Sequence, residues 1–212
     1  MSSTKTTIYA VRHGETEWNI LGKQQGHLNS PLNARGKLQA AKLAEGLKGR
    51  GIQFIYSSDL GRAQETATIV ANELRLPVTF SEKLRERNLG ILQGFTQKEF
   101  QMEHPEIFQK FKSTDPNYQI PEGESKRELY KRCVSATEEI IAKHPGETIL
   151  IVCHSGVVRS FFHRATQLPL ETPRKFSLLN GAINQFAFIQ DWSLLTWGEV
   201  AHLQGTSTID DF

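Results

Sequence analysis

Thr7-Ile8-Tyr9-Ala10-Val11-Arg12-His13-Gly14 runs from β-forming residues straight into a basic pair and a glycine. Such a run predicts a buried strand, Thr7 to Arg12, that stops at a glycine turn and presents Arg12 and His13 at its C-terminal edge. Ile52 to Ser58 repeats the pattern, a short apolar run closed by serines, and Ala63, Thr66, Ala67, Val70, Ala71 and Leu74 follow at helical spacing. A third unit sets Thr148 to Cys153 as the strand, His154-Ser155-Gly156 as the turn, and Val158, Phe161, Phe162 and Ala165 as the inner face of a helix. Strands that alternate with helices imply a sheet covered on both faces. The expected class is α/β, a three-layer α/β/α sandwich with a largely parallel central sheet.

Further elements fit around this frame. A helix is expected to begin near Asn33 and to turn Leu38, Ala41 and Leu47 inward. Ser125 and Glu128 have the spacing of a capping box for a helix whose buried stripe is Leu129, Cys133, Ala136 and Ile140. Ala182 to Ile189 and Leu194 to Val200 read as closing strands. Residues 94–123 break the rhythm, with Phe95, Phe100, Phe108 and Phe111 set among Pro105, Pro116 and Pro121. This segment is expected to form an irregular lid.

With 212 residues, 38% hydrophobic and 23% charged, the chain lies in the range of one globular domain spanning residues 1–212. A formal charge of +2 is too small an asymmetry to argue for nucleic acid or an anionic membrane, so any positive potential must be local. Met1 to Thr7 is short and polar and precedes no signal-like apolar run, and no apolar stretch approaches membrane-spanning length. A cytoplasmic protein, monomeric or homodimeric, is expected. Cys133 and Cys153 are the only cysteines and are read as reduced thiols. No His-Glu-x-x-His helix, no Gly-rich loop ending in Gly-Lys-Ser/Thr and no Asp-x-Asp motif is present, so no metal site and no cofactor is expected.

The run Arg12-His13-Gly14-Glu15-Thr16-Glu17-Trp18-Asn19 resembles the signature of the histidine phosphatase, or phosphoglycerate mutase-like, superfamily. Four further segments support the resemblance in the family's order. They are Pro31-Leu32-Asn33 with Gly36 and Gln39; Ser57-Ser58-Asp59-Leu60 with Arg62, Ala63, Thr66 and Ala67; Leu84-Arg85-Glu86 with Gly90 and Gly94; and Val152-Cys153-His154.

The chemistry asks for these residue types. A phosphate monoester dianion needs fixed cations around its oxygens, and the planar guanidinium groups of Arg12 and Arg62 suit that task. A neutral imidazole is a competent nucleophile near neutral pH. The resemblance implies that His13 attacks phosphorus to form a phosphohistidine, that His154 donates to a phosphoryl oxygen, and that Glu86 protonates the leaving group. It also implies that Asn19, Gln25 and Gly26 line the phosphate pocket. Ser155 is expected to cap the helix after His154 and to lie within reach of phosphate. The implied substrate is a small phosphorylated metabolite.

Three other readings compete. Cys153, five intervening residues, then Arg159 and Ser160 match the pattern of cysteine-dependent tyrosine phosphatases. If His154 faces the crevice, however, strand alternation turns Cys153 to the opposite side. A cofactor-dependent phosphoglycerate mutase is the second. Against it, Leu89 and Gln97 stand where the most similar mutases have tyrosine and lysine, and their arginine pair has no counterpart in residues 95–122, although Lys98, Lys110 or Lys112 are candidate substitutes. A non-catalytic phospho-ligand binding protein is the third, and the presence of His13, His154, Arg12, Arg62 and Glu86 argues against it.

Overall fold

The computed structural model describes residues 4–206. Along the chain these form β1 (Thr6–Arg12), α1 (Glu17–Ile20), α2 (Ala34–Leu47), β2 (Phe54–Ser58), α3 (Gly61–Leu74) and β3 (Val78–Ser81). There follow α4 (Gln97–Glu103), α5 (Pro105–Lys112), α6 (Lys126–Lys143), β4 (Thr148–Cys153), α7 (Ser155–Thr166), β5 (Ile183–Phe188) and β6 (Trp192–Glu199). The six strands make one sheet in the order β3-β2-β4-β1-β5-β6. β3, β2, β4 and β1 run parallel, whereas β5 and β6 close the other edge with antiparallel pairings.

Alternation along the central strands sorts the core into two layers. Ile8 and Ala10 of β1 and Ile149, Ile151 and Cys153 of β4 pack beneath Leu129, Cys133 and Ile140 of α6 and Val158 and Phe161 of α7. Tyr9, Val11, Leu150 and Val152 face the other way, against Leu43 and Leu47 of α2 and Ala63, Ala67 and Val70 of α3. The three-layer α/β/α arrangement therefore follows from side-chain parity in two adjacent strands. Ser125 caps α6 with the reciprocal Glu128 bond that the spacing anticipates.

Two local expectations are corrected, and one strand is added. Leu38 and Ala41 are exposed, because Asn33 caps α2 and sets the phase of its buried face as Gly36, Gln39, Ala40, Leu43, Ala44 and Leu47. A polar Gln39 occupies an inner position because its Oε1 accepts the Glu15 N–H at 2.8 Å. β3 lacked a sequence signal, since it is four residues at the sheet edge with Thr79 and Phe80 exposed. The lid segment is more regular than expected. It holds α4, started by a Thr96–Glu99 capping box, and α5, started by Pro105, over a small cluster of Leu89, Leu92, Phe100 and Ile120.

Among the described residues no helix is long and apolar enough to cross a membrane. One close approach fixes the functional loop to the scaffold. A β-carbon at Gly36 would lie 2.0 Å from the Glu15 carbonyl oxygen, and one at Gly14 would lie 2.4 Å from that of Gly36. The first turn of α2 thus packs backbone to backbone against the loop after β1. Gly36→Ala is expected to destabilise the protein by about 1–3 kcal/mol through overpacking, which corresponds to roughly 2–4 °C in Tm per kcal/mol for a chain of this size. Thermal denaturation checks this, and an unchanged Tm would show that the contact relaxes without strain.

Candidate active site

Parallel pairing of β1 with β4 sets Arg12 beside Cys153, and the His13 N–H continues the ladder by donating to the Cys153 carbonyl at 3.0 Å. The two histidines that follow these strands are thereby neighbours, with ring centroids 5.3 Å apart. Both are buried. His13 Nδ1 lies 2.8 Å from the Gly14 carbonyl oxygen, which can only accept, so Nδ1 carries the proton and Nε2 the lone pair. Nε2 receives a bond from Arg62 Nε at 3.2 Å. The same guanidinium is fixed by the carbonyls of Leu28 and Gly26 at 2.9 and 2.8 Å. Arg12 Nη1 donates to the Leu178 carbonyl at 2.6 Å.

Burial foremost, then the charges of Arg62 and Arg12, push the His13 pKa well below the ordinary histidine value, against a smaller raising effect of the Gly14 bond. His154 is lowered in the same way, by burial first and then by Arg62, His13 and Arg12. Both rings are neutral at physiological pH. His154 Nε2 is paired with Ser58 Oγ at 2.8 Å, so β2 supplies the partner of a histidine that follows β4.

The loop after His13 is tied down from every side. Gly14 N–H donates to Thr66 of α3 at 3.1 Å. Glu15, fully buried, accepts from Asn33 at 2.7 Å and from Arg35 at 3.3 Å. The His13 carbonyl accepts from Asn180 Nδ2 at 2.9 Å, and the Arg12 carbonyl accepts the Gly181 N–H at 3.0 Å.

A cavity of about 510 Å³ opens over this region, and Arg12, His13, Arg62, Glu86, Asn19, Gln25, Gly26 and Ser155 all line it. His154 sits behind His13 and does not line it. Asn19 spends its carboxamide oxygen on the Thr16 N–H and hydroxyl, both at 3.0 Å, which leaves its NH2 as the group it can offer an anion. Gln25 Nε2 donates to Thr16 Oγ1 at 2.9 Å. Gly26 adopts a φ of +53°, where a side chain would be strained and would strike Gln93.

Ser155 departs from its expected part. The N-cap of α7 is His154, and no side chain caps the helix. Ser155 Oγ instead donates to Glu86 Oε2 at 3.1 Å, and the Gly156 N–H does so at 3.0 Å. Glu86 Oε1 accepts the Arg87 N–H at 2.8 Å. The positive end of α7 thus holds the carboxyl group in the cavity wall. The loop that carries it is bracketed by Arg132, which donates to the carbonyls of Lys83, Arg85 and Glu86 while paired with Glu124 at 2.8 Å. His27 Nε2 also meets the Glu86 carbonyl at 2.8 Å.

Sequence reasoning missed Ser58, Thr16, Asn180, Arg132 and His27, because each acts on a site residue through a hydrogen bond that only the fold brings about. Ser58 and Thr16 lay within quoted motifs, which was the one available signal. Cys153 is excluded as a nucleophile. It is wholly buried on the α6/α7 face, and burial raises its thiol well above the ordinary range.

These features define a class. The chain belongs to the histidine phosphatase superfamily (branch 1), whose family model matches residues 8–199. It is 42% identical over 204 residues to Phosphoglycerate mutase-like protein 4 of Arabidopsis thaliana, spanning 94% of this chain and 87% of that protein. It is 39% identical over 207 residues to the Metal-independent phosphoserine phosphatase of the same plant, spanning 96% and 85%. Bacillus stearothermophilus YhfR superimposes with a TM-score of 0.86 at 32% identity, covering 94% of this chain and all of that one (100%). Phosphoserine phosphatase from Entamoeba histolytica, solved in complex with 3-phosphoglyceric acid, gives 0.84 at 28% identity, covering 93% and 99%.

The lowered histidines carry a pH consequence. An unfolded chain takes up protons on these residues near pH 6.5, whereas the folded protein does not. Stability is therefore full above that pH and is lost as pH falls below it. In NMR titrations the ring signals of His13 and His154 are expected to move with midpoints below about 6.5. A midpoint above that value for either would contradict the neutral, buried assignment.

Proposed function

We propose that this chain is a phosphomonoesterase acting on small phosphorylated metabolites through a phosphohistidine on His13. The observation that carries this reading is the His13 imidazole, with its lone pair on Nε2 held against Arg62 in the wall of the cavity that also contains Glu86. Nε2 attacks phosphorus as the P–O bond to the leaving group breaks, and Glu86 gives that oxygen a proton. In the second step Glu86, now a carboxylate, takes a proton from water. The resulting attack on phosphorus releases inorganic phosphate and restores the neutral imidazole. Arg12 and Arg62 balance the charge on the equatorial oxygens, while His154, which does not line the cavity, lies beside His13 at a ring separation of 5.3 Å.

Ser155 suits this exchange because a hydroxyl donates to a carboxylate and accepts from a carboxylic acid. It holds Glu86 in both protonation states. Among the described residues no group of three or more His, Cys, Asp and Glu side chains is placed to hold a metal ion, and fixed arginines supply the charge that a cation supplies elsewhere. Hydrolysis is favoured over phosphate return to a second hydroxyl because Leu89 and Gln97, the departures from the mutase pattern, both line the cavity. Of the candidate lysines only Lys112 does so, with Lys98 and Lys110 exposed outside it. A relative named for phosphoserine phosphatase activity agrees with hydrolysis.

Assay of phosphate release from a panel of phosphorylated metabolites, with 31P NMR to detect any isomer, tests the proposal. His13→Ala is expected to abolish turnover with the fold retained. Glu86→Ala is expected to lower kcat by about 10² to 10⁴. Excess chelator is expected to leave activity intact, and a loss that magnesium restores would overturn the metal-independent mechanism. Cys153→Ser is expected to turn over at close to the normal rate, and an inactive Cys153→Ser would restore the thiolate alternative.

A further inference from the structure

Glu86 is held by its backbone as well as by its carboxylate. Its carbonyl oxygen accepts two side-chain donors, Arg132 Nη2 at 3.2 Å and His27 Nε2 at 2.8 Å. The two differ in what else they hold. Arg132 also donates to the carbonyls of Lys83 and Arg85 and pairs with Glu124, so it fastens the whole loop to α6. For His27 the Glu86 carbonyl is the one side-chain hydrogen-bond partner among the described residues. A carbonyl can only accept, so Nε2 carries a proton. His27 is half-buried and lies outside the cavity wall, so whatever it contributes passes through Glu86 rather than through contact with a substrate.

The backbone around His27 serves a different residue of the site. The carbonyls of Gly26 and Leu28 accept from Arg62 Nη2 and Nη1 at 2.8 and 2.9 Å, and Asn29 Oδ1 accepts the Arg62 N–H at 3.1 Å. His27 stands between the two carbonyls. Its own N–H donates to Gln93 Oε1 at 2.6 Å, so the Gly26–His27 peptide is held at its oxygen by Arg62 and at its nitrogen by Gln93. One imidazole thereby joins the segment that seats a phosphate-facing guanidinium to the loop that carries the acid.

We propose that His27 is a positioning residue that sets the reach of the Glu86 carboxyl group to the leaving oxygen. The inference rests on the phosphomonoesterase reading and adds how the proton donor is registered against the phosphate clamp. As the bond from His13 Nε2 to phosphorus forms and the P–O bond breaks, the Glu86 proton must pass to the departing oxygen, which requires the two oxygens to lie within hydrogen-bond reach. Arg62 locates the phosphoryl group and Glu86 locates the proton, and a misplacement of about 1 Å can cost on the order of 10² in rate. Without His27, Glu86 follows α6 through Arg132 and is no longer tied to the Arg62 segment. Arg62 itself keeps its backbone acceptors in any His27 variant. The loss therefore falls on proton transfer and spares the grip on phosphate.

The test uses para-nitrophenyl, phenyl and benzyl phosphate, whose leaving groups are similar in size and depend increasingly on a proton. A nitrophenolate departs unaided, and an alkoxide does not. kcat/KM is compared because it reports the steps up to ester cleavage, before water attacks the phosphohistidine. In His27→Phe, which keeps a ring and removes the donor, kcat/KM for benzyl phosphate is expected to fall by about tenfold to a hundredfold, part of the roughly 10² to 10⁴ that a general acid supplies. The para-nitrophenyl ester is expected to change little. His27→Gln, which keeps an N–H donor at the end of its side chain, is expected to restore most of the loss. A loss no steeper for benzyl than for para-nitrophenyl phosphate overturns the role, as does a His27→Gln protein as impaired as His27→Phe. Should His27→Phe fail to fold, His27→Ala takes its place. If none of the three esters is hydrolysed, hydrogen exchange judges the anchor at the Arg87 and Gly156 amides, both bonded to the Glu86 carboxylate. Faster exchange in His27→Phe supports the role, and unchanged exchange overturns it. Failure of the phosphomonoesterase reading shows separately, as a lack of hydrolysis of every phosphomonoester by the unaltered protein.

Discussion

The parallel pairing of β1 with β4 is the constraint on which the site depends. It aligns Arg12 with Cys153 and carries the ladder one residue further through the His13 amide, so two distant histidines finish 5.3 Å apart. Alternation then divides the labour. The residue before each histidine belongs to the strand, and the histidine itself begins the turn at the sheet's C-terminal edge, where α/β folds expose backbone donors and helix N-termini. The same register sends Cys153 into the α6/α7 core, which is why one strand end yields a buried thiol and an imidazole of the site side by side.

Around that edge, the fold converts ordinary polar residues into restraints. Glu15 lies outside the cavity wall and serves the scaffold instead. Its contacts with Asn33, Arg35 and Gln39 pin the start of α2 beneath the His13 loop. Arg132 and Glu124 do comparable work for the Glu86 loop. A rigid surround of this kind keeps donors in place before charge develops, and preorganisation of that sort is where most of the catalytic advantage of such sites arises. Burial there also keeps the His13 and His154 imidazoles neutral.

Much of this was legible in the sequence because strand ends and short motifs are local. The strand before His13, the helix that carries Arg62 and the strand before His154 each announced themselves by a run of apolar residues and a turn. Leu38 and Ala41 misled because apolar spacing alone does not give helix phase, and Gln39 displaced them through a hydrogen bond to Glu15 that is non-local. Ser155 was placed at the right turn with the wrong partner, since the Glu86 loop that claims it lies 69 residues away. In the lid, Phe100 is fully buried and Phe111 lines the cavity. That division depends on how α4 and α5 pack, and composition does not show it.

The central claim is that phosphate passes through Nε2 of His13. Rapid quenching of the protein with a turned-over phosphomonoester, followed by peptide mass spectrometry and tests of acid and alkali stability, addresses it directly. The account expects a transient, acid-labile and alkali-stable phosphoryl group on His13. A phosphoryl group found on Cys153, or turnover by the His13→Ala protein at close to the normal rate, would contradict it.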